Sequence, residues 1–395
     1  MVIFNKPLKF IMAAMLAVLP FTASANAIQE DSHKSADTIE VESVEVVVDE
    51  HGAGLDVKSK NKAHILHHVQ DSHDFTFYSD EAEGKHYGFP LPVILIDGGL
   101  KVFSSAKFNH GEAVAEVDGN YYKLHHGKIY KTDAKGTLTY EGDHHDHPTN
   151  VRPLDFSITK SVLMIMITCL LMIWLFRSLA KSYAKNGGVP SGVGRFFEPF
   201  VVYIRDEIAI PNIGEKHYKK YMSYLLTIFF FIWFLNIFGL TPLGVNVTGN
   251  FTVTAALAIL TYLITTFSGN KHYWGHIFWM PGVPWPMKIV LAPIELLGTI
   301  IKPFSLMIRL YANILAGHIV LMSIIALMFA FKSWIGSPLS FVLAFALSFL
   351  EILVALLQAY IFTMLSALYF GAAVDDHGHS EHHHDDEHGV VKAHH

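Results

Sequence analysis

Apolar and polar positions are sorted into blocks along this chain. An apolar run, Phe10–Phe21, follows Lys6 and Lys9, and small residues close it. Ala23-Ser24-Ala25 and Ala25-Asn26-Ala27 both fit the A-x-A cleavage pattern. The run is shorter than the roughly 20 residues of a membrane-crossing helix, so residues 1–27 read as a secretory signal rather than a first span. Residues 28–155 are polar, with short alternating stretches at Asp74–Tyr78, Pro92–Phe103 and Tyr121–Tyr130. Asp97-Gly98-Gly99 and Asp118-Gly119-Asn120 supply turns, and the pattern predicts a small β-rich domain. Residues 156–374 are mostly apolar, and 375–395 form a polar tail of low complexity, expected to be disordered.

The apolar block divides into spans. Ile158–Phe176 is followed by Arg177, Lys181, Lys185 and Arg195, and residues 177–220 hold eight Lys or Arg. Such an excess marks the cytoplasmic side. Phe196–Ile210 mixes apolar residues with Glu198, Arg205, Asp206 and Glu207 and reads as an interfacial helix. Tyr221–Leu240 then returns outward to an uncharged loop, Thr241–Asn250, and Phe251–Phe267 comes back to a loop flanked by Lys271 and Lys288. Segments 289–331 and 338–374 remain, on either side of Gly336-Ser337-Pro338. The expected fold is an all-α polytopic membrane protein of about five helices, with the β-rich domain periplasmic and the C-terminus cytoplasmic. Lys332 on the outer side departs mildly from the charge rule.

Two of these segments are too long. Residues 289–331 would make a helix about 65 Å long, and 338–370 one of about 50 Å, against a hydrocarbon layer of about 30 Å. An average tilt of about 20° does not absorb the excess. Either the helices break, with Pro303 the natural point, or they cross the membrane steeply tilted. Long cytoplasmic extensions fit less well, because the excess is apolar.

Composition narrows the function. Of 395 residues, 51% are hydrophobic and 16% charged, with net charge −6 and one cysteine. Soluble domains average about 25% charged residues, so a single water-soluble globule is excluded. The charge balance gives no basic signature for nucleic acid, and Cys169 alone excludes an internal disulfide framework. Between Ile289 and Val374 only Glu295, Lys302, Arg309, Lys332 and Glu351 are charged. A charge at the bilayer centre costs at least about 2.5–3.5 kcal/mol, so, apart from Lys332 at a segment end, which can snorkel, each should face protein or water.

Their spacing is regular. Glu295, Lys302 and Arg309 are seven apart, which shares one helix face if the helix runs through Pro303, and Asn313 continues it. His318 points to the opposite side, and Glu351 and Gln358 form a second stripe. Arginine keeps its proton in proteins, so Arg309 can only be a fixed cation, whereas Glu351 and His318 can titrate. That set suits proton movement past an electrostatic barrier. An Arg309–Glu351 ion pair, a Glu295–Lys302 pair, a snorkelling Lys302 and a hydrogen-bonded core His318 are the structural alternatives. No nucleophile–base pair or phosphate loop is visible, and no catalytic residue, cofactor or metal site is assigned.

Lys302-Pro303-Phe304-Ser305-Leu306-Met307-Ile308-Arg309-Leu310-Tyr311-Ala312-Asn313-Ile314-Leu315-Ala316-Gly317-His318 resembles the signature segment of subunit a of bacterial F-type ATP synthases. Glu351-Ile352-Leu353 to Leu357-Gln358-Ala359-Tyr360-Ile361-Phe362 resembles that family's last helix. Arg205-Asp206-Glu207, Pro211-Asn212-Ile213-Gly214 and Asn236-Ile237-Phe238-Gly239-Leu240-Thr241-Pro242 match in order. The resemblance covers residues 156–374 and implies a membrane stator beside a ring of c subunits, held by subunit b and the peripheral stalk in the bacterial inner membrane. It implies two aqueous half-channels, with Arg309 keeping the passing ring carboxylate ionised and blocking direct proton leak. It places Asn313, His318, Glu351 and Gln358 around the outer half-channel and ring contact, and Glu295 on the inner path. Some members carry an acid where His318 stands and a histidine where Glu351 stands; here the two are exchanged. Some carry aspartate where Asn250 stands, so the outer mouth is expected to be lined differently. The subunit would be non-catalytic by itself, while the whole complex makes ATP.

The polar ends suggest a competing class, a metal-ion transporter. His144-His145-Asp146-His147 and the tail from Asp375, with eight histidines and six acids, can bind Zn²⁺ or Ni²⁺. Transport would need ligands clustered within the spans; His318 is the only histidine there. An exported binding domain on a membrane anchor would not need charges deep in overlong helices.

Overall fold

The computed structural model describes residues 71–374 apart from 81–84, 112, 141–147, 188, 190–191, 242–244, 280–282 and 331–335. The signal segment, the His144–His147 run and the C-terminal tail lie outside the described residues.

Among the described residues, the polar block forms three small antiparallel sheets. Strands β1 (Asp74–Asp80) and β2 (Lys85–Pro90) pair. β3 (Pro92–Ile96) lies between β4 (Leu100–Ser104) and β8 (Leu154–Asp155). β5 (Val114–Val117), β6 (Asn120–His125) and β7 (Lys128–Thr132) form a meander. The expected stretch Pro92–Phe103 is a hairpin, turned where Gly98 adopts φ 65°, a conformation that costs glycine little. Tyr121–Tyr130 is likewise a hairpin, β6–β7. Alternate residues Val93 and Leu95 pack with Phe103, Phe108, Tyr122 and Ile129, the period-2 burial of a one-sided sheet.

The apolar block is helical. Helix α1 (Lys160–Lys185) starts at Thr159, whose hydroxyl accepts from the Val162 N–H, satisfying one orphan donor of the first turn. Its inner stripe of Val162, Ile165, Cys169, Met172, Phe176 and Leu179 is buried, while Ile167, Leu170 and Trp174 stay exposed. Two apolar faces are what a helix between protein and lipid requires. Phe75 and Leu91 from the β-rich domain join the cluster that contains Met164 and Ile165.

Helix α2 (Val193–Tyr203) passes through a π-helical stretch (Ile204–Ala209) into the short α3 (Ile210–Ile213). The stretch expected at the interface thus turns Ile204, Ile208 and Ala209 inward and leaves Arg205 and Asp206 outside, paired at 2.7 and 3.0 Å. Helix α4 (Tyr218–Leu240) is buried almost all round. Phe197 and Phe200 of α2 pack on its Phe230 and Trp233 at centroid distances of 5.7 and 5.0 Å, and α4 is the axis of the bundle.

Helix α5 (Phe251–Ser268) is followed by α6 (Lys271–Phe278), α7 (Trp285–Ala330) and α8 (Gly336–Val374). The loop between Lys271 and Lys288 therefore carries a helix of its own. Among the described residues, five helices, α1, α4, α5, α7 and α8, are long and apolar enough to cross a membrane. The break considered at Pro303 does not occur: α7 runs 46 residues through Pro293 and Pro303, about 69 Å. With α8, 39 residues or about 58 Å, it far exceeds about 30 Å of hydrocarbon. Asn270 fastens the far end, donating to the carbonyls of Ala373 (3.0 Å) and Val374 (3.2 Å).

Candidate functional site: the α7–α8 pair

The two long helices are antiparallel, joined by only five residues, 331–335. Gly317 of α7 meets Glu351 of α8: a β-carbon at 317 would stand 2.9 Å from Glu351 Oε1. Eighteen residues further along each helix, Thr299 and Tyr369 line one cavity. The pairing therefore keeps its register over this length, and it sets Arg309 level with Gln358 and Ala359. By rise alone, Arg309 lies about 12 Å from the Gly317 level and about 15 Å from the Thr299 level.

Each position has its own surroundings. Arg309 and Asn313 are exposed on the open side of α7, the shared face that an unbroken helix allows. Among the described residues no carboxylate is within salt-bridge distance of Arg309, so the Arg309–Glu351 pair is not formed; the Arg309 charge does act on the Tyr369 hydroxyl. Gln358 is buried, 3% exposed. Glu351 is half-buried, and its Oε2 has no hydrogen-bond partner among the described residues. His318 follows Gly317 in α7, but its side chain lies outside the described residues.

Toward the start of α7, Glu295 is half-buried, and its charge acts on Tyr273 of α6. Burial raises the pKa of the Tyr273 phenol, and Tyr262 and Glu295 add to the shift. No Glu295–Lys302 ion pair forms among the described residues. Lys302 instead lines a cavity of about 20 Å³ with Thr261, Thr265, Tyr273, Thr299 and Tyr369, enough for about one water. Its wall is mostly apolar, with Leu306, Pro303 and Ala372 beside the hydroxyl-bearing residues, and the Thr261, Thr265 and Thr299 hydroxyls already donate within their own helices.

Near the Glu351 end of the pair lies a buried polar cluster outside the set expected from sequence. Asn236 of α4 donates to the Ala355 carbonyl (3.3 Å), one turn from Glu351, and accepts from the Thr248 hydroxyl (2.7 Å). Asn246 accepts from the Gly249 N–H (2.9 Å), and its buried Nδ2 has no partner among the described residues. Asn236 belongs to a motif matched in the sequence, but its role shows only when α4 meets α8. Asn250, where some members carry aspartate, is the N-cap of α5, accepting from the Thr252 N–H at 3.0 Å.

The family model for the ATP synthase A chain matches residues 162–371. This chain belongs to that family. Residues 64–156 match a second model, a domain of unknown function (DUF8433). ATP synthase subunit a of an Anaeromyxobacter species is 38% identical over 282 residues, covering 69% of this chain and 64% of that relative. ATP synthase subunit a 2 of Chlorobaculum tepidum is 41% identical over 257 residues, covering 62% and 71%. ATP synthase subunit a 2 of Prosthecochloris aestuarii is 37% identical over 303 residues, covering 73% and 92%. Among the described residues no three His, Cys, Asp or Glu gather as metal ligands, and the metal-transporter reading finds no support.

Proposed function

We propose that this chain is the proton-channel subunit of the membrane sector of an F-type ATP synthase, with Arg309 as its barrier. The observation that carries the reading is the position of Arg309 in the α7–α8 register. It stands uncovered, between the cavity beside Thr299 and Tyr369 and the carboxylate seated on Gly317. The two polar regions are offset along one helix pair, and a cation that cannot deprotonate separates them.

An arginine on an apolar surface needs a counter-charge, at a cost of at least about 2.5–3.5 kcal/mol without one. The chain supplies none among its described residues, so the partner comes from outside: the carboxylate of a passing c subunit. Arg309 keeps that carboxylate ionised until it reaches the far side. Protons enter from the outer side through the Asn236–Thr248–Asn246 cluster and Glu351, with His318, Asn313 and Gln358 beside them. They leave on the inner side past Lys302, Tyr273 and Glu295. The subunit does no covalent chemistry itself; rotation of the ring couples its proton flow to ATP synthesis elsewhere in the complex.

The remaining assignments complete this reading. Residues 1–27 are a signal peptide, 28–155 a periplasmic domain, 156–374 the membrane domain and 375–395 a cytoplasmic tail. The protein sits in the bacterial inner membrane against the c-ring, subunit b and the peripheral stalk. Arg309→Ala is expected to abolish ATP-driven proton pumping in inverted vesicles while the complex still assembles. Normal pumping by that variant refutes the reading. Co-purification with a c-ring and peripheral stalk tests the partners.

A further inference from the structure

The β-rich domain is fastened to the membrane helices through a buried cluster of titratable groups that plays no part in the proton path. His73 is 3% exposed, and its Nε2 lies 2.9 Å from Asp155 Oδ2. The other Asp155 oxygen accepts from the N–H and the hydroxyl of Ser157, whose hydroxyl oxygen accepts in turn from the Ile94 N–H (3.1 Å). The residues flanking His73 hold the start of α1. The Ser72 carbonyl accepts from the Lys160 N–H (3.0 Å), and Asp71 Oδ1 accepts from the Ser161 N–H (3.1 Å). Asp74 accepts from the Ser105 hydroxyl, which caps the Leu91 N–H at 3.0 Å. His73 therefore ties the strand that enters the domain to the strand that leaves it for the membrane.

We propose that the His73–Asp155 pair is a proton-operated latch, which fixes the domain on the first turn of α1 while His73 is charged and loosens it when His73 is neutral. Asp155, Asp71 and Asp74 act electrostatically on the imidazole, and the Lys160 ammonium lies near Asp71. Among the described residues, three carboxylates against one lysine leave the junction short of positive charge until His73 takes up its second proton. That proton goes to Nδ1, which has no partner among the described residues. Its hydrogen bond is unmatched in either state, so the surrounding charges decide between them.

Burial opposes the charge on His73, but the hydrogen bond to Asp155 and the fields of Asp155, Asp71 and Asp74 outweigh it and raise the imidazole pKa. A raised value means that the stabilisation is complete below the ordinary histidine value of about 6.5. It is lost as pH rises through the higher folded value. Burial also opposes the charge on Asp155, yet His73 and Ser157 hold its carboxyl below the ordinary range. The acceptor thus stays ionised throughout that change. That the domain meets the acidic side of an energised membrane rests on the topology proposed above; the latch itself does not.

The test is a distance measurement on the intact synthase in nanodiscs, where both faces share one pH. Spin labels replace the exposed Lys135 in the domain and Arg177 on α1, while Cys169, 3% exposed, remains unlabelled. Dipolar spectra at about pH 5.5 and about pH 8.5 bracket the histidine. The distance distribution is expected to widen about twofold at the higher pH, and to have one width at both values in His73→Gln and Asp155→Asn. Should those variants fail to assemble, hydrogen exchange at the Lys160 and Ser161 amides of the natural chain, corrected for intrinsic rates, decides. It is expected to rise about tenfold over the same range. A constant width or flat corrected exchange in the natural chain, or widening that survives in both variants, overturns the latch. Proton pumping measured in parallel separates this outcome from failure of the channel reading.

Discussion

Glu351 of α8 rests on the backbone of Gly317 in α7; a β-carbon at 317 would come within 2.9 Å of its carboxylate oxygen. The glycine is the space in which the carboxylate sits. Gly317→Ala should displace that carboxylate without breaking either helix. Passive proton flux through head-stripped vesicles is expected to fall about three- to tenfold, a barrier change of about 0.7–1.4 kcal/mol, with unchanged amounts of assembled membrane sector. Unaltered flux would take the Glu351 seat out of the path.

Gly371 meets a harder obstacle. A β-carbon there would overlap the Asn212 carbonyl oxygen, and backbone lies on both sides, so no side chain can move away. Gly371→Ala must separate α8 from α3. Overpacking of this kind costs about 1–3 kcal/mol or more. The expected result is a lower thermal midpoint of the purified complex and less subunit in the membrane, both read by gel after heating.

Asn236 joins three elements, linking Thr248 in the α4–α5 loop to Ala355 on α8. Asn236→Leu fills similar space but leaves the buried Thr248 hydroxyl without its acceptor, at a cost of about 1–3 kcal/mol. Thermal stability should drop by that amount, and flux should slow even at temperatures where the complex is intact. A variant that loses neither would show the cluster to be incidental.

In the β-rich domain, Lys131 Nζ (2.8 Å) and the Tyr122 hydroxyl (2.9 Å) both donate to Asp97 and hold its carboxyl below the usual range. A lowered carboxylate contributes stability above its unfolded value, about 3.9. The contribution is lost as pH falls through the lower folded value. Amide exchange across β6 and β7 of the full chain should therefore accelerate in acid, and Lys131→Met should flatten that acid limb. A limb unchanged in Lys131→Met assigns the acid response to other carboxylates.

Much of this arrangement is legible from residue order, and the misses have physical causes. The overlong apolar segments point to tilted helices because 1.5 Å per residue is a fixed quantity. The seven-residue spacing of Glu295, Lys302 and Arg309 is a face only if Pro303 leaves the helix intact, which packing decides and propensity does not. Local composition likewise carries α6 poorly: Lys271–Phe278 is short and mixes Lys, His and Gly with aromatics. The Asn236 cluster and the Gly317 seat are contacts between helices far apart in sequence, and no spacing along one helix encodes them. The Arg309–Glu351 alternative fails for a related reason, since only the register of the hairpin tells that the two stand on different levels.

Pro303 has a last consequence. Having no N–H, it leaves the carbonyl of Thr299 without its intrahelical donor, and Thr299 and Pro303 both face the water-sized cavity. A helix interior normally shows its neighbours no spare acceptors. Here one residue type frees an acceptor beside a small cavity while the helix keeps its direction. The same proline that threatens the rod frees an acceptor at a cavity, so an unbroken helix and a spare acceptor come from one position.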